Sequence, residues 1–183
     1  MEASSKRCRT GGPRLASPLD TETLSALAVR YLERYQTSRE RLRRYLDRKL
    51  RQRGWAGGAP PDLDTLLDDM VARGYVDDAA FASARARTLS RRGFGVARVR
   101  ADLLAAGIDA EAGTPVLDAI DPLAAALAFA RRRRLGPFGP PPPDRAGRDR
   151  QVAQLLRAGH SPRLARAIVA ARREEDLPGF DDR

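Results

Sequence analysis

Gly74-Tyr75-Val76-Asp77-Asp78-Ala79-Ala80-Phe81-Ala82, then Arg91-Arg92-Gly93-Phe94-Gly95, then Val99, Leu103 and Gly107-Ile108 decide the fold of this chain. Asp77 is a good N-cap, because its carboxylate can accept hydrogen bonds from the unpaired amides of a first helical turn. Val76 before the cap and Phe81 after it are spaced as a hydrophobic staple. Gly93 ends that helix and Gly95 opens the next. Gly107 suits the left-handed position after a helix, with Ile108 as the apolar residue that follows it. Two helices with defined ends are written into one short stretch.

Working outward, the helical spacing continues on both sides. Leu24, Leu27, Ala28, Tyr31, Leu32 and Tyr35 make one apolar stripe. Ser38 caps a helix with Leu42, Leu46 and Leu50 that ends at Gly54. Asp62 caps a third, with Leu63, Leu66, Leu67, Met70 and Val71. Downstream, a short helix is expected from Thr114 with Pro115 in its first turn, since proline deeper inside would break it. Asp121-Pro122 and Ser161-Pro162 repeat the cap-plus-proline start. Arg131-Arg132-Arg133-Arg134 leads into a Pro-rich connector at 136–143.

The spacing predicts an all-α protein of three tandem three-helix modules stacked in an elongated, curved array. The expected boundaries are 21–74, 75–120 and 121–175, with a disordered basic tail at 1–20 and a frayed acidic tail at 176–183. The middle helix of each module carries an apolar i, i+4 pair: Leu42/Leu46, Val99/Leu103 and Val152/Leu156. Modules too thin to bury both faces stack on their neighbours. With aromatics at 5 %, the cores are expected to be Ala- and Leu-packed.

Composition narrows the function classes. The chain has 183 residues and a net charge of +10, which favours nucleic acid or an acidic protein surface. One cysteine, Cys8, excludes an internal disulfide framework and a cysteine-based metal site. One histidine, His160, sits before Ser161-Pro162 in a tight turn and reads as structural. No cofactor, no metal and no catalytic set is expected, so the chain is read as non-enzymatic. Gly93-x-Gly95 follows a helix rather than a strand, which excludes a dinucleotide loop. No secretory signal and no spanning segment is expected, which makes the cytoplasm the default location.

The segment Arg39–Arg53 holds eight basic and two acidic residues. With Leu42, Leu46 and Leu50 inward, Arg41, Arg44, Arg48 and Arg51 are predicted to share the outward face. Guanidiniums crowded on one face repel unless an anionic partner neutralises them. Arg85, Arg87, Arg91, Arg92, Arg98 and Arg100 form a second basic set around Gly93-Phe94-Gly95, with Arg91, Arg98 and Arg100 the candidates for partner or DNA contact. Phe94 is expected in the core. Trp55 is either a plug or an exposed contact. Asp68 and Asp69 have no capping role and are candidates to pair with the basic helix.

The stretch from Gly74 to Gly107 resembles the RecX family, small regulators of the RecA recombinase. Asp77, Asp78 and Phe81 match its module-defining residues, and Arg91, Gly93, Gly95, Arg98 and Arg100 its basic central segment. The resemblance implies three tandem three-helix modules in an arc and a RecA filament as partner. It also implies lowered ATP hydrolysis and strand exchange, and direct contact with single- or double-stranded DNA. A monomer is expected. Three features depart from the family pattern: the first basic helix runs a turn longer, to Leu50 and Gly54, Arg131–Pro143 is an unusual connector, and the expected disordered basic N-terminal tail is not a family requirement. A DNA-binding protein acting without RecA and a helical-repeat adaptor are the alternatives.

Overall fold

The computed structural model describes residues 17–142 and 144–177. Among them are nine α-helices: α1 (Thr21–Arg34), α2 (Arg39–Arg53), α3 (Leu63–Ala72), α4 (Asp78–Arg91), α5 (Val96–Ala105), α6 (Ala110–Asp118), α7 (Pro122–Arg133), α8 (Arg145–Arg157) and α9 (Pro162–Ala170). Two 3-10 turns, Gly136–Phe138 and Glu174–Asp176, complete the regular structure. The described residues contain no β-strand, only an isolated bridge between Leu19 and Trp55. No single helix among them is long and apolar enough to cross a membrane.

Caps set the helix starts. Asp20, Asp62, Asp77, Asp109, Asp121 and Asp144 each accept a hydrogen bond from the amide three residues on, as does the Ser38 hydroxyl. Each removes one orphan donor of a first turn and places a negative charge or dipole at the positive helix end. The ends share a second device. The amides of Tyr75, Phe94, Ile108, Leu135 and His160 reach back five residues to the carbonyls of Met70, Leu89, Leu103, Ala130 and Leu155. The residue before each is left-handed: Gly74, Gly93, Gly107, Arg134 and Gly159. This is the Schellman closure.

The helices bury three successive cores. The first holds Leu19, Leu24, Ala28, Leu42, Leu46, Leu63, Leu67, Met70 and Val76. The second is built on Phe81, Leu89, Val99, Leu103, Ile108 and Leu117, and the third on Phe129, Leu135, Leu155, Leu164 and Ile168. Phe94 packs against both the second and the third, so it is a core residue, as its size suggests.

Four expectations need correction. Residues 1–16 of the expected tail, with Cys8, lie outside the described residues, as do 178–183. Leu19, however, is fully buried, and its backbone pairs with Gly54 and Ala56. The folded first module therefore begins before residue 20: Leu19 fills its core and Asp20 caps the helix that starts at Thr21. Val76 sits in the first core and Phe81 in the second, so they do not form a staple. The helix containing Pro115 starts one turn earlier than Thr114, because Asp109 caps it through Ala112 N at 2.7 Å. That places Pro115 inside the helix, where the cap and buried Leu117 outweigh one missing hydrogen bond. In α8, Leu156 is 40 % exposed and Leu155 is fully buried. Leu155, Ala158, Gly159 and His160 occupy the places of Leu103, Ala106, Gly107 and Ile108, so Val152/Leu156 is one residue out of register. The position before Leu155 by one turn is Gln151, whose side-chain oxygen accepts from Gly136 N at 2.9 Å. A polar residue stands there because it holds the Pro-rich connector.

Arg134 is the one left-handed non-glycine among the described residues, with φ 54°. Its Cβ is crowded in that conformation. Arg134→Gly is therefore expected to stabilise the protein by about 1 kcal/mol, a rise in thermal midpoint of about 2–4 °C, measurable by thermal unfolding followed in the far ultraviolet.

Candidate functional site

The central segment lies between two joints with one design. In the first joint, the N-terminal turn of α2 meets the C-terminal turn of α5. The Ser38 hydroxyl, fully buried, donates to Ala106 O at 2.5 Å. Arg44 donates to Ala105 O at 2.6 Å. These carbonyls have no partner within their own helix, so the neighbour's donors satisfy them. Arg39 N donates to Asp78 at 2.8 Å, and the Glu40 methylenes occupy the space where a Cβ on Gly107 would lie. The Arg41 guanidinium stands 5.1 Å over the Phe81 ring and 3.9 Å from Asp102. Arg85 holds Asp102 with two hydrogen bonds, of 2.7 and 2.8 Å. That bond, ahead of the nearby charges of Arg41 and Arg98, keeps the Asp102 carboxyl below its ordinary range.

In the second joint, the N-terminal turn of α5 meets the C-terminal turn of α8. Gly95 N donates to Ala158 O at 2.9 Å, and Ala97 N to Gly159 O at 3.3 Å. A Cβ on Gly95 would collide with the Gly159 carbonyl, and one on Gly159 with the backbone of Arg98. Gly93 combines φ 75° with the same intimacy towards the Phe129 backbone. His160 Nε2 lies 3.0 Å from Gly93 O. The carbonyl can only accept, so Nε2 carries the proton. The imidazole is buried, its ring 5.8 Å from that of Phe129. Burial pushes its pKa below the ordinary value, with the bond to Gly93 opposing.

Both joints set the negative end of one middle helix against the positive end of the preceding one, which favours the contact electrostatically. Asp77, Asp78, Phe81, Gly93, Gly95 and Gly107 are all packing or capping residues of these joints and their helices.

The arginines divide accordingly. Arg41 and Arg44 do not share a free outward face with Arg48 and Arg51, because they are drawn into the first joint. Arg39 and Arg43 pair with Asp64, and Arg39 also with Asp68 at 2.7 Å. Asp69 instead pairs with Arg73 on its own helix, at 2.8 Å. Arg48 packs on the Tyr45 ring. Arg48, Arg51, Arg91, Arg98 and Arg100 are exposed, and no carboxylate among the described residues is within ion-pair distance of them. Trp55 is half-buried and donates to Ala59 O at 2.6 Å, which makes it a plug beneath the loop. Among the described residues no group of His, Cys, Asp or Glu is arranged to hold a metal ion. Asp102 escaped the sequence reading, and Ser38, Arg85 and Gly159 were legible there only as a cap, a basic residue and a helix end, not as joint residues. Gly159-His160 was open to detection, since it occupies the place of Gly107-Ile108.

Residues 77–113 match the model of the RecX second three-helix domain. Over 157 residues the chain is 34 % identical to a protein of Leptothrix cholodnii named regulatory protein RecX, covering 85 % of this chain and 92 % of the relative. A protein of the same name from Acidithiobacillus ferrooxidans is 37 % identical, with 84 % and 93 % covered. The chain belongs to the RecX family of regulatory proteins. A crystal structure of a regulatory protein RecX has the same fold, with a TM-score of 0.58 at 19 % identity, covering 83 % of this chain and 78 % of that one. The family match at 77–113 spans the side of both joints contributed by α4 and α5.

Two outcomes follow from the joints. Gly95→Ala forces a methyl against a backbone carbonyl that cannot rotate away, a cost of about 3 kcal/mol. The thermal midpoint is expected to drop by about 6–12 °C. His160 is neutral when folded, and its pKa is lowered relative to the unfolded chain. The unfolded state thus takes up a proton first as pH falls through about 6.5. Stability carried by this group is complete above that value and is lost as pH falls towards the folded pKa. Urea unfolding between pH 7.5 and 5 should show this loss, and His160→Gln should flatten it.

Proposed function

We propose that this protein binds RecA filaments and lowers their ATP hydrolysis and strand exchange without catalytic chemistry of its own. Family membership across most of the chain carries the reading. The exposed Arg48, Arg51, Arg91, Arg98 and Arg100, none within ion-pair distance of a carboxylate among the described residues, support it, because such groups seek carboxylates or phosphates. The expected module boundaries, 21–74, 75–120 and 121–175, enter this reading as three linked contacts acting from one chain in the cytoplasm. Linked weak contacts gain effective concentration, so an array touching several subunits binds more tightly than any single module. A ligand that prefers one filament conformation shifts the population towards it by its differential affinity. The same arginines favour a second reading, direct binding to DNA independent of RecA.

The test is the RecA ATPase rate against added protein, with single-stranded DNA in excess. Substoichiometric protein should lower the rate, and added salt should restore it. The joint residues Arg41 and Arg44 are unsuitable for this test, since replacing them disturbs packing. Arg48→Glu with Arg51→Glu should raise the half-inhibitory concentration about tenfold, from two reversed surface charges, at unchanged helicity. Inhibition seen only when DNA is limiting would favour the RecA-independent reading. No inhibition in either regime would overturn the proposal.

A further inference from the structure

Where the end of α1 meets the middle of α2, three tyrosines form a continuous aromatic surface. Tyr31 and Tyr45 stack, with centroids 4.2 Å apart and ring planes at 22°. Tyr35, at the C-cap of α1, lies 5.1 Å from Tyr31 at 46°. Tyr31 and Tyr45 are half-buried and close the first core, but Tyr35 is 53 % exposed. Core packing accounts for the first two rings, while the third leans on Tyr31 outside the core and stays largely open to solvent.

Two cations flank the surface. Arg48 Cζ is 5.6 Å and Lys49 Nζ 5.7 Å from the Tyr45 centroid. Neither has a carboxylate within ion-pair distance among the described residues. Glu33 and Asp47 each stand two residues from a platform tyrosine, about 200° round their helices. The surface therefore combines π-faces with uncompensated positive charge. A base presents a π-face of its own, and a phosphodiester supplies the negative charge beside it. Bases in a duplex are stacked on one another and offer no free face.

We propose that Tyr31, Tyr35 and Tyr45, with Arg48 and Lys49, form a stacking platform for single-stranded nucleic acid. Tyr35 receives an unpaired base, and the two cations hold the adjoining phosphates. The proposal rests on the nucleic-acid contact in the function proposed above. It adds what that reading lacks, a site that separates single strands from duplex. Nothing in the cluster reads a 2′-hydroxyl, so the shared chemistry covers DNA and RNA.

The test measures fluorescence anisotropy with an oligothymidylate of about 16 nucleotides, the matching oligouridylate, and a duplex of equal length. The full chain is compared with Tyr35→Ala, Tyr35→Phe and, as an exposed control outside the cluster, Tyr75→Ala. Tyr35→Ala should weaken single-strand binding at least about fivefold and duplex binding by less than about twofold, since only stacking is lost. Tyr35→Phe and Tyr75→Ala should remain within about twofold of the parent. Photo-crosslinking of iodouracil-substituted strands should label Tyr35. Better retention on the thymidylate than on the uridylate, or the reverse, identifies the physiological strand, and either supports the platform if Tyr35 governs it. Equal losses on single strand and duplex, unchanged affinity in Tyr35→Ala, or crosslinks confined to other segments would overturn the platform while leaving nucleic-acid binding in place. Absence of binding to all three probes would overturn both.

Discussion

The backbone hydrogen bond from Gly95 to Ala158, with Gly159 pressed against Arg98, is the contact on which the arrangement of the chain depends. It brings two helix ends together at main-chain distance. No side chain can stand between them, and the carbonyls of one helix end acquire donors from the next helix. The first joint repeats the scheme with different means. There a serine hydroxyl reaches Ala106 in place of the glycine amide, and Glu40 covers Gly107. The middle helices α2, α5 and α8 are thus coupled end to end, tail of one to head of the other. Helix dipoles and unsatisfied end groups both favour that order.

This coupling decides which charges are free. A basic helix whose N-terminal turn is embedded in a joint cannot present all its arginines to a partner. Arg41 lies over Phe81 and beside Asp102, and Arg44 bonds to Ala105. Arg48 and Arg51, one and two turns on, emerge beyond the joint. The tyrosine surface stands at the same end of the helix, so aromatic faces and unpaired cations become neighbours. The acidic helix α3 is not a separate anionic surface. It neutralises the arginines on the flank of α2, through Asp64 and Asp68.

Helix starts and ends were legible in the residues because they depend on local chemistry. An aspartate three residues before an amide caps it wherever the helix later packs, and Gly93 or Gly107 accepts a left-handed φ on its own. The reading failed where two local rules competed or where a distant segment intervened. Pro115 argued for a late start, yet Asp109 offered a better cap. Leu19 looked like part of a polar tail, yet the strand-like pairing with Gly54 and Ala56 gave its backbone partners and its side chain a core. Val152 and Leu156 had the right spacing, but burial followed Leu155, because Gln151 is occupied by Gly136.

The sequence by itself determined the all-helical class, most helix boundaries, the basic character and the family. Each of these follows from propensity, capping, periodicity or motif, which act over a few residues. Only the tertiary structure decided that Gly93, Gly95 and Gly159 are joint residues, that His160 is buried against Gly93, and that Arg41 and Arg44 differ from Arg48 and Arg51. All four arginines lie on comparable parts of a helical wheel, and a wheel has no information about what meets each turn along its axis. That axial information resides in contacts between residues far apart in the chain, such as Ser38 with Ala106 and Gly95 with Ala158.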